Sequence, residues 1–186
     1  MTRAATDEQL RDALELSQRH GMLGRRPITE VVDHATAFLA PLDELVGGAT
    51  VVDLGSGGGV PGLVVARLRP DLRLVLVERR TTRADHLRRL VARLGLGGRV
   101  DVLGVDAAAL PDRLPQPAHA VTSRGFGPPA ALLAVTADVL ALGGLLVVAE
   151  PPRPDPRRWP DDVLARTGFT RLASPDARVA VLRRIP

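Results

Sequence analysis

The stretch that most constrains this chain is Val51-Val52-Asp53-Leu54-Gly55-Ser56-Gly57-Gly58-Gly59-Val60-Pro61-Gly62. It opens with a short β-branched and aliphatic run, the pattern of a strand buried on both faces in a parallel sheet. A glycine cluster follows, and then Pro61 stands where a helix should start, since a first-turn N–H needs no partner and φ is already set. Glycines in a strand-to-helix turn take φ > 0 at little cost and let a ligand approach the backbone with no Cβ in the way. The N–H groups at the helix start face such a ligand. The stretch predicts a nucleotide-type pocket.

Two nucleotides compete for it. Gly57-x-Gly59-x-x-Gly62 satisfies the dinucleotide fingerprint, and Glu78 lies near the right distance to hold a ribose. The longer pattern Asp53-x-Gly55-x-Gly57-x-Gly59 points elsewhere. An acid at the end of the strand would repel a pyrophosphate. It suits S-adenosylmethionine, which carries an ammonium and a sulfonium and no phosphate. The expected cofactor is therefore S-adenosyl-L-methionine.

The segment Asp53 to Gly62, with Pro-Gly directly after the glycine loop, resembles the signature of the bacterial ribosomal small-subunit methyltransferase G family, also called glucose-inhibited division protein B. Val121-Thr122-Ser123-Arg124-Gly125-Phe126 is similar to that family's Ser-Arg-Ala-Phe. Glu30-Val31-Val32-Asp33-His34 is similar to the helix that leads into its catalytic domain. The resemblance spans about residues 25 to 150 and implies methylation of N7 of a guanine in small-subunit ribosomal RNA. It also implies a divergent, N-terminally shortened member. The family's Asn-Leu-Thr element is replaced here by Gly21-Met22-Leu23-Gly24, and its Leu-Lys-Gly after the fifth strand by Ala149-Glu150-Pro151-Pro152. A cation facing RNA thus becomes an anion in a rigid turn, which suggests a different substrate.

The 186 residues allow one domain with a real core. With 45% hydrophobic residues but only 2% aromatic, that core must be built from Leu, Val and Ala. The absence of cysteine excludes disulfides, thiolate metal sites and the covalent adduct used to methylate C5 of a pyrimidine. The longest apolar run, Val139 to Ala149, is too short to span a bilayer, and no signal-peptide pattern is visible, so a soluble cytoplasmic protein is expected. The histidines at 20, 34, 86 and 119 show no ligand spacing, so no metal is expected. All 25 cationic residues are Arg. Arg79, Arg80, Arg83, Arg88, Arg89 and Arg93 crowd one expected helix, and Arg153, Arg157 and Arg158 follow the fifth strand. Such faces suit phosphate contact, or are simply solvated. Platforms on which bases would stack are scarce.

Along the chain, Thr6-Asp7-Glu8-Gln9 opens a helix with a capping box that ends at His20-Gly21. A second helix is expected from Pro27 to about Ala40. These form a helical extension over residues 1–46, ahead of a methyltransferase domain over 47–186. Strands are expected at Val51–Leu54, Leu72–Glu78, Val100–Leu103, Ala118–Thr122 and Leu145–Ala149. Helices are expected at Pro61–Leu68, Thr82–Leu94 and Pro128–Leu140, the last stopped by Gly143-Gly144. After a proline-rich loop come a helix at Asp161–Arg166 and a hairpin of two strands. The alternation implies a doubly wound, Rossmann-like α/β fold with a mostly parallel seven-stranded sheet, an antiparallel terminal hairpin and N-terminal helices.

Ligands in such sheets sit beyond the C-terminal strand ends. Asp53 ends strand one and is expected to order the loop and face the cationic methionine end. Gly55, Gly57, Gly59 and Val60 form the loop around it. Glu78 ends strand two, where it accepts both ribose hydroxyls or pairs with Arg79 or Arg80. Asp106 follows strand three, where it accepts from the adenine amino group, caps a helix, or does both, while the Ala107 backbone reaches the ring. Arg124 follows strand four. The resemblance makes it a cofactor-site and catalytic-region residue, and a structural ion pair is its competing role. Guanine N7 has a free lone pair and no proton, so no general base is needed and the protein supplies alignment. An Arg near O6 and N7 would orient the base. The expected partner is ribosomal RNA or the small subunit. Two other functions stay open: a small-molecule methyltransferase of the same fold, and a non-catalytic S-adenosylmethionine sensor.

Overall fold

The computed structural model describes residues 6–153 and 155–186. The first five residues of the expected helical extension, and Pro154 of the proline-rich loop, lie outside them.

Seven strands make one sheet: β1 (Thr50–Leu54), β2 (Arg73–Val77), β3 (Val100–Leu103), β4 (Ala118–Ser123), β5 (Leu140–Ala149), β6 (Phe169–Leu172) and β7 (Val179–Arg184), in the order β3-β2-β1-β4-β5-β7-β6. The five strands from β3 to β5 are parallel. β7 runs antiparallel to both β5 and β6. The chain leaves β1 towards β2 and β3, then returns to β4 on the other side of β1. A crevice opens at such a reversal, outside the carboxyl ends of the strands.

Period-two alternation divides the core between the two faces of the sheet. Val51, Leu74 and Leu76 point to one face, where they pack with Leu63 and Leu87. Val52, Val75 and Val77 point to the other, with Leu132, Leu133, Trp159 and Phe169. The first face is covered by α1 (Asp7–Arg19), α2 (Ile28–Thr36), α3 (Leu39–Leu42), α4 (Gly62–Leu68) and α5 (Thr81–Arg93). The second is covered by α6 (Pro129–Val139) and α7 (Asp161–Arg166). Leu10, Leu14, Val31 and Phe38 of the N-terminal helices belong to the same buried cluster as Leu63 and Leu74.

The capping box forms as expected: Thr6 Oγ1 accepts from Gln9 N at 3.2 Å, and Gln9 Oε1 accepts from Thr6 N at 2.8 Å. Two expected boundaries move by more than one residue. The second helix does not run through to Ala40 but breaks after Thr36, whose hydroxyl turns back to the Asp33 carbonyl at 2.6 Å, while Phe38 N tightens onto Ala35 O. Gly143-Gly144 does not stop the sixth helix. That helix ends at Val139, and β5 begins at once, carrying both glycines inside a register irregularity against β4. Gly143 has φ +80°, and a Cβ on Gly144 would lie 2.8 Å from the His119 carbonyl oxygen. Glycine here marks a bulge rather than a helix end.

No helix among the described residues is long and apolar enough to cross a membrane. Among them no group of three or more His, Asp or Glu side chains is placed to hold a metal ion.

Candidate functional site

The turn after β1 is held by its own backbone. Gly55 N and Ser56 N both donate to Val77 O, and Gly59 N closes a turn onto Ser56 O at 2.7 Å. Gly55, Gly57 and Gly59 have φ of +72°, +52° and +98°, a region in which a Cβ is strained. Close approach is the separate demand at Gly62, where a Cβ would collide with Leu76 and lie 2.6 Å from Asp53 Oδ2.

Asp53 is fully buried. Its Oδ1 accepts from Thr122 Oγ1 at 2.9 Å and its Oδ2 from Gly62 N at 3.2 Å, so the carboxylate joins β1 to β4 and to the start of α4. Burial pushes its pKa up to about 6, against the opposing pull of hydrogen bonds and of the Arg124 charge. The loop-ordering part of the expected role is thus visible. The side chain does not reach the wall of the cleft described below, and neither do Gly57, Gly59, Val60 or Arg124.

Glu78, only 6% exposed, joins two backbones. Its Oε2 accepts from Gly57 N at 3.1 Å and its Oε1 from Arg80 N at 2.8 Å. It forms no ion pair with Arg79 or Arg80. Each oxygen keeps a second lone pair, so the carboxylate can accept two further hydroxyl protons. Asp106 caps the short turn Ala107–Ala109 through Oδ1 and Ala108 N at 3.0 Å, and its Oδ2 has no partner among the described residues. Capping and ligand contact are therefore compatible.

A cleft of about 440 Å³ lies at these strand ends, within the size range of ligand sites. Gly55, Glu78, Asp106 and Ala107 line it. Val77, Val105 and Phe126, with Ala131 and Val135 of α6, give it an apolar wall suited to a flat ring. Arg79, Arg80 and Arg83 stand at its edge beside Glu78. The α6 residues escaped notice in the sequence. Their only signal is the i, i+4 spacing on the helix after β4, which is shared by any packed helix.

Arg124 is half-buried at the end of β4 and makes no hydrogen bond or ion pair among the described residues. The competing structural ion pair is absent there. Burial lowers its pKa, the Asp53 charge raises it, and Arg26 lowers it.

Two readings of charge need correction. Glu150 does not face outward as an anion. It is buried, with Oε2 on Arg158 Nη1 at 2.9 Å and Oε1 on the Trp159 indole N–H, and Arg158 also donates to Ala149 O at 2.9 Å. It clamps the proline-rich loop to the end of β5, so it no longer argues for a different substrate, and Arg158 leaves the basic surface. On α5, Arg88 is taken up by Asp85 at 2.7 Å and by Val102 O at 3.3 Å. The arginines turned to the cleft are Arg79, Arg80 and Arg83.

A family model described as rRNA small subunit methyltransferase G matches residues 8–150. Curated relatives named ribosomal RNA small subunit methyltransferase G include one from a Nocardioides species, 40% identical over 75% of this chain and 58% of its own length. Another, from Kineococcus radiotolerans, is 34% identical over 78% of this chain and 56% of its own length. The chain spans about half the length of the curated relatives it matches. Among solved structures, an O-methyltransferase family protein from Burkholderia thailandensis superposes with a TM-score of 0.64 at 19% identity, over 96% of this chain and 60% of that one. A precorrin-6y C5,15-methyltransferase from Geobacter metallireducens gives 0.61 at 16% identity, over 82% and 87%. These likenesses show the fold, that of the class I methyltransferases.

Proposed function

The chain belongs to the rRNA small subunit methyltransferase G family, and on that premise we propose that it transfers a methyl group from S-adenosylmethionine to N7 of a guanine in small-subunit ribosomal RNA. The observation that carries this reading is Glu78, buried at the cleft with both oxygens held by backbone N–H groups of the glycine loop and the start of α5, and with lone pairs left for two ribose hydroxyls.

The other residues fit the same cofactor. Asp106 and the Ala107 backbone suit the adenine edge, in a slot walled by Val105, Phe126, Ala131 and Val135. A loop with no Cβ at Gly55 or at residues 57–59 suits the methionine end, and Asp53 beneath it supplies negative charge towards an ammonium and a sulfonium. Bound there, S-adenosylmethionine supplies an electrophilic methyl on a positively charged sulfur. Guanine N7 needs no deprotonation, so this chain contributes alignment and exclusion of water rather than a proton acceptor. Arg124, uncommitted to any carboxylate, is the residue assigned to orient the base through O6.

Purified protein incubated with methyl-labelled S-adenosylmethionine and small ribosomal subunits tests this. Mass spectrometry of the digested RNA is expected to show one 7-methylguanine, lost in Arg124→Ala. Normal cofactor binding by calorimetry without any methylated RNA would refute the assignment and leave the sensor or the small-molecule enzyme.

A further inference from the structure

The stretch between α1 and α2, which contains Gly21-Met22-Leu23-Gly24, is tied down by hydrogen bonds. Gly21 ends α1 with φ +67°, as Gly21 N donates to Gln18 O and Met22 N to Ser17 O. Residues 22–26 then run without regular structure. One side chain serves two backbone carbonyls of this stretch, those of Gly24 and Arg26. Gln18 Nε2 donates to Gly24 O at 2.5 Å and to Arg26 O at 2.7 Å, spending both hydrogens. Because both partners are acceptors, the amide nitrogen must face them.

The pinned stretch rests on the glycine loop. A Cβ on Gly58 would lie 2.7 Å from Leu23 Cγ and 3.0 Å from Met22 O. The stretch and the loop therefore occupy each other's space. α1 is itself anchored, with Ser17 Oγ bonded to the buried His86 of α5 at 2.8 Å and Asp7 paired with Arg67 of α4 at 3.1 Å. Beyond the pin, Arg25 and Arg26 are exposed and have no hydrogen-bond or ion-pair partner for their guanidinium groups among the described residues.

We propose that Gln18 is a positioning residue: its carboxamide straps residues 22–26 onto the glycine loop at Gly58 and so holds the Arg25–Arg26 pair at the rim of the site, where the methyl acceptor enters. The contact of Met22 and Leu23 with Gly58 places that rim at the glycine loop. Uncommitted guanidinium groups held together suit an acceptor that carries phosphates, which bridge them. The identity of that acceptor rests on the reading under Proposed function; the strap itself does not.

The test compares Gln18→Met, which keeps the length and loses the donors, with Gln18→Lys, which keeps donors at a similar reach. Trypsin cleavage after the exposed Arg25 and steady-state kinetics on small ribosomal subunits are measured in each chain. In Gln18→Met, cleavage there is expected to quicken and KM for the subunit to rise about tenfold, with kcat and cofactor affinity changed by less than about twofold. Gln18→Lys is expected to restore both. A Gln18→Met chain whose cleavage and KM match the wild type overturns the proposal. So does one in which kcat, cofactor affinity and KM all worsen together with melting temperature, because that is a structural defect. If the wild-type chain methylates no ribosomal RNA, the functional reading fails, and the cleavage comparison still decides whether Gln18 holds the strap.

Discussion

Asp53→Asn should remove a pH-dependent cost built into the centre of the site. The carboxylate is fully buried, and burial raises its pKa from 3.8 to about 6. At 1.36 kcal/mol per unit, that rise is worth about 3 kcal/mol. The folded chain keeps its proton to a higher pH than the unfolded chain does. Between pH 3.8 and about 6 the native state therefore binds more protons, and stability falls as pH rises through that window. Above it the cost is fully present. An asparagine keeps the local bonds, since its carbonyl can accept from Gly62 N and its amide can donate to Thr122 Oγ1. Urea unfolding of the two ligand-free chains at intervals from pH 4 to pH 8 measures the effect. The Asp53→Asn variant should be the more stable chain at pH 8, by up to about 3 kcal/mol, with the difference shrinking towards pH 4. His86, held below its ordinary value mainly by burial, makes both chains lose stability as pH falls below 6.5, so the difference between them isolates Asp53. Ligand binding gives the mirror image. A cationic cofactor beside the carboxylate favours its charged form, so binding near pH 6 should release a proton in the wild type and none in the variant, read by calorimetry in buffers of different ionisation enthalpy. Parallel stability profiles for the two chains would refute the burial argument, and equal proton release would refute the placement of the cofactor's charge.

Glu78→Ala should weaken S-adenosylmethionine affinity by about 1–3 kcal/mol, because hydroxyls and the Gly57 N–H lose their acceptor; titration calorimetry showing unchanged affinity would remove Glu78 from the ribose site. Replacing Arg79, Arg80 and Arg83 together by Gln should flatten the salt dependence of RNA binding, whereas Arg88→Gln, already paired with Asp85, should leave that slope nearly unchanged. Equal slopes for the two variants would place the phosphates elsewhere. Glu150→Ala should lower stability by about 1–3 kcal/mol through the unpaired Trp159 indole and Arg158 guanidinium, without changing methyl transfer at saturating substrate; lost transfer in a chain of normal stability would return Glu150 to the substrate face.

Local chemistry carried much of this protein into view from its sequence. Strands betray themselves by aliphatic runs, helices by caps and spacing, and the cofactor loop by glycines whose positive φ is a property of single residues. Val100–Leu103 and Asp161–Arg166 lie where local pattern puts them. The loop's identity as a cofactor site is legible for the same reason, since Asp53, its glycines and Pro61-Gly62 fall within ten consecutive residues. The fold alone decided whatever depends on a partner far along the chain. Asp53 is braced by Thr122, 69 residues on, a bond that no local pattern announces. Glu78 reaches 21 residues back to Gly57. Glu150 carries the same formal charge whether it meets RNA or Trp159, and only the return of the proline-rich loop turned it inward. Residue type specifies what a group can donate, accept or bear as charge. Which water-filled or protein-filled space that group meets is set by chain closure over long separations, and that carries no local signal.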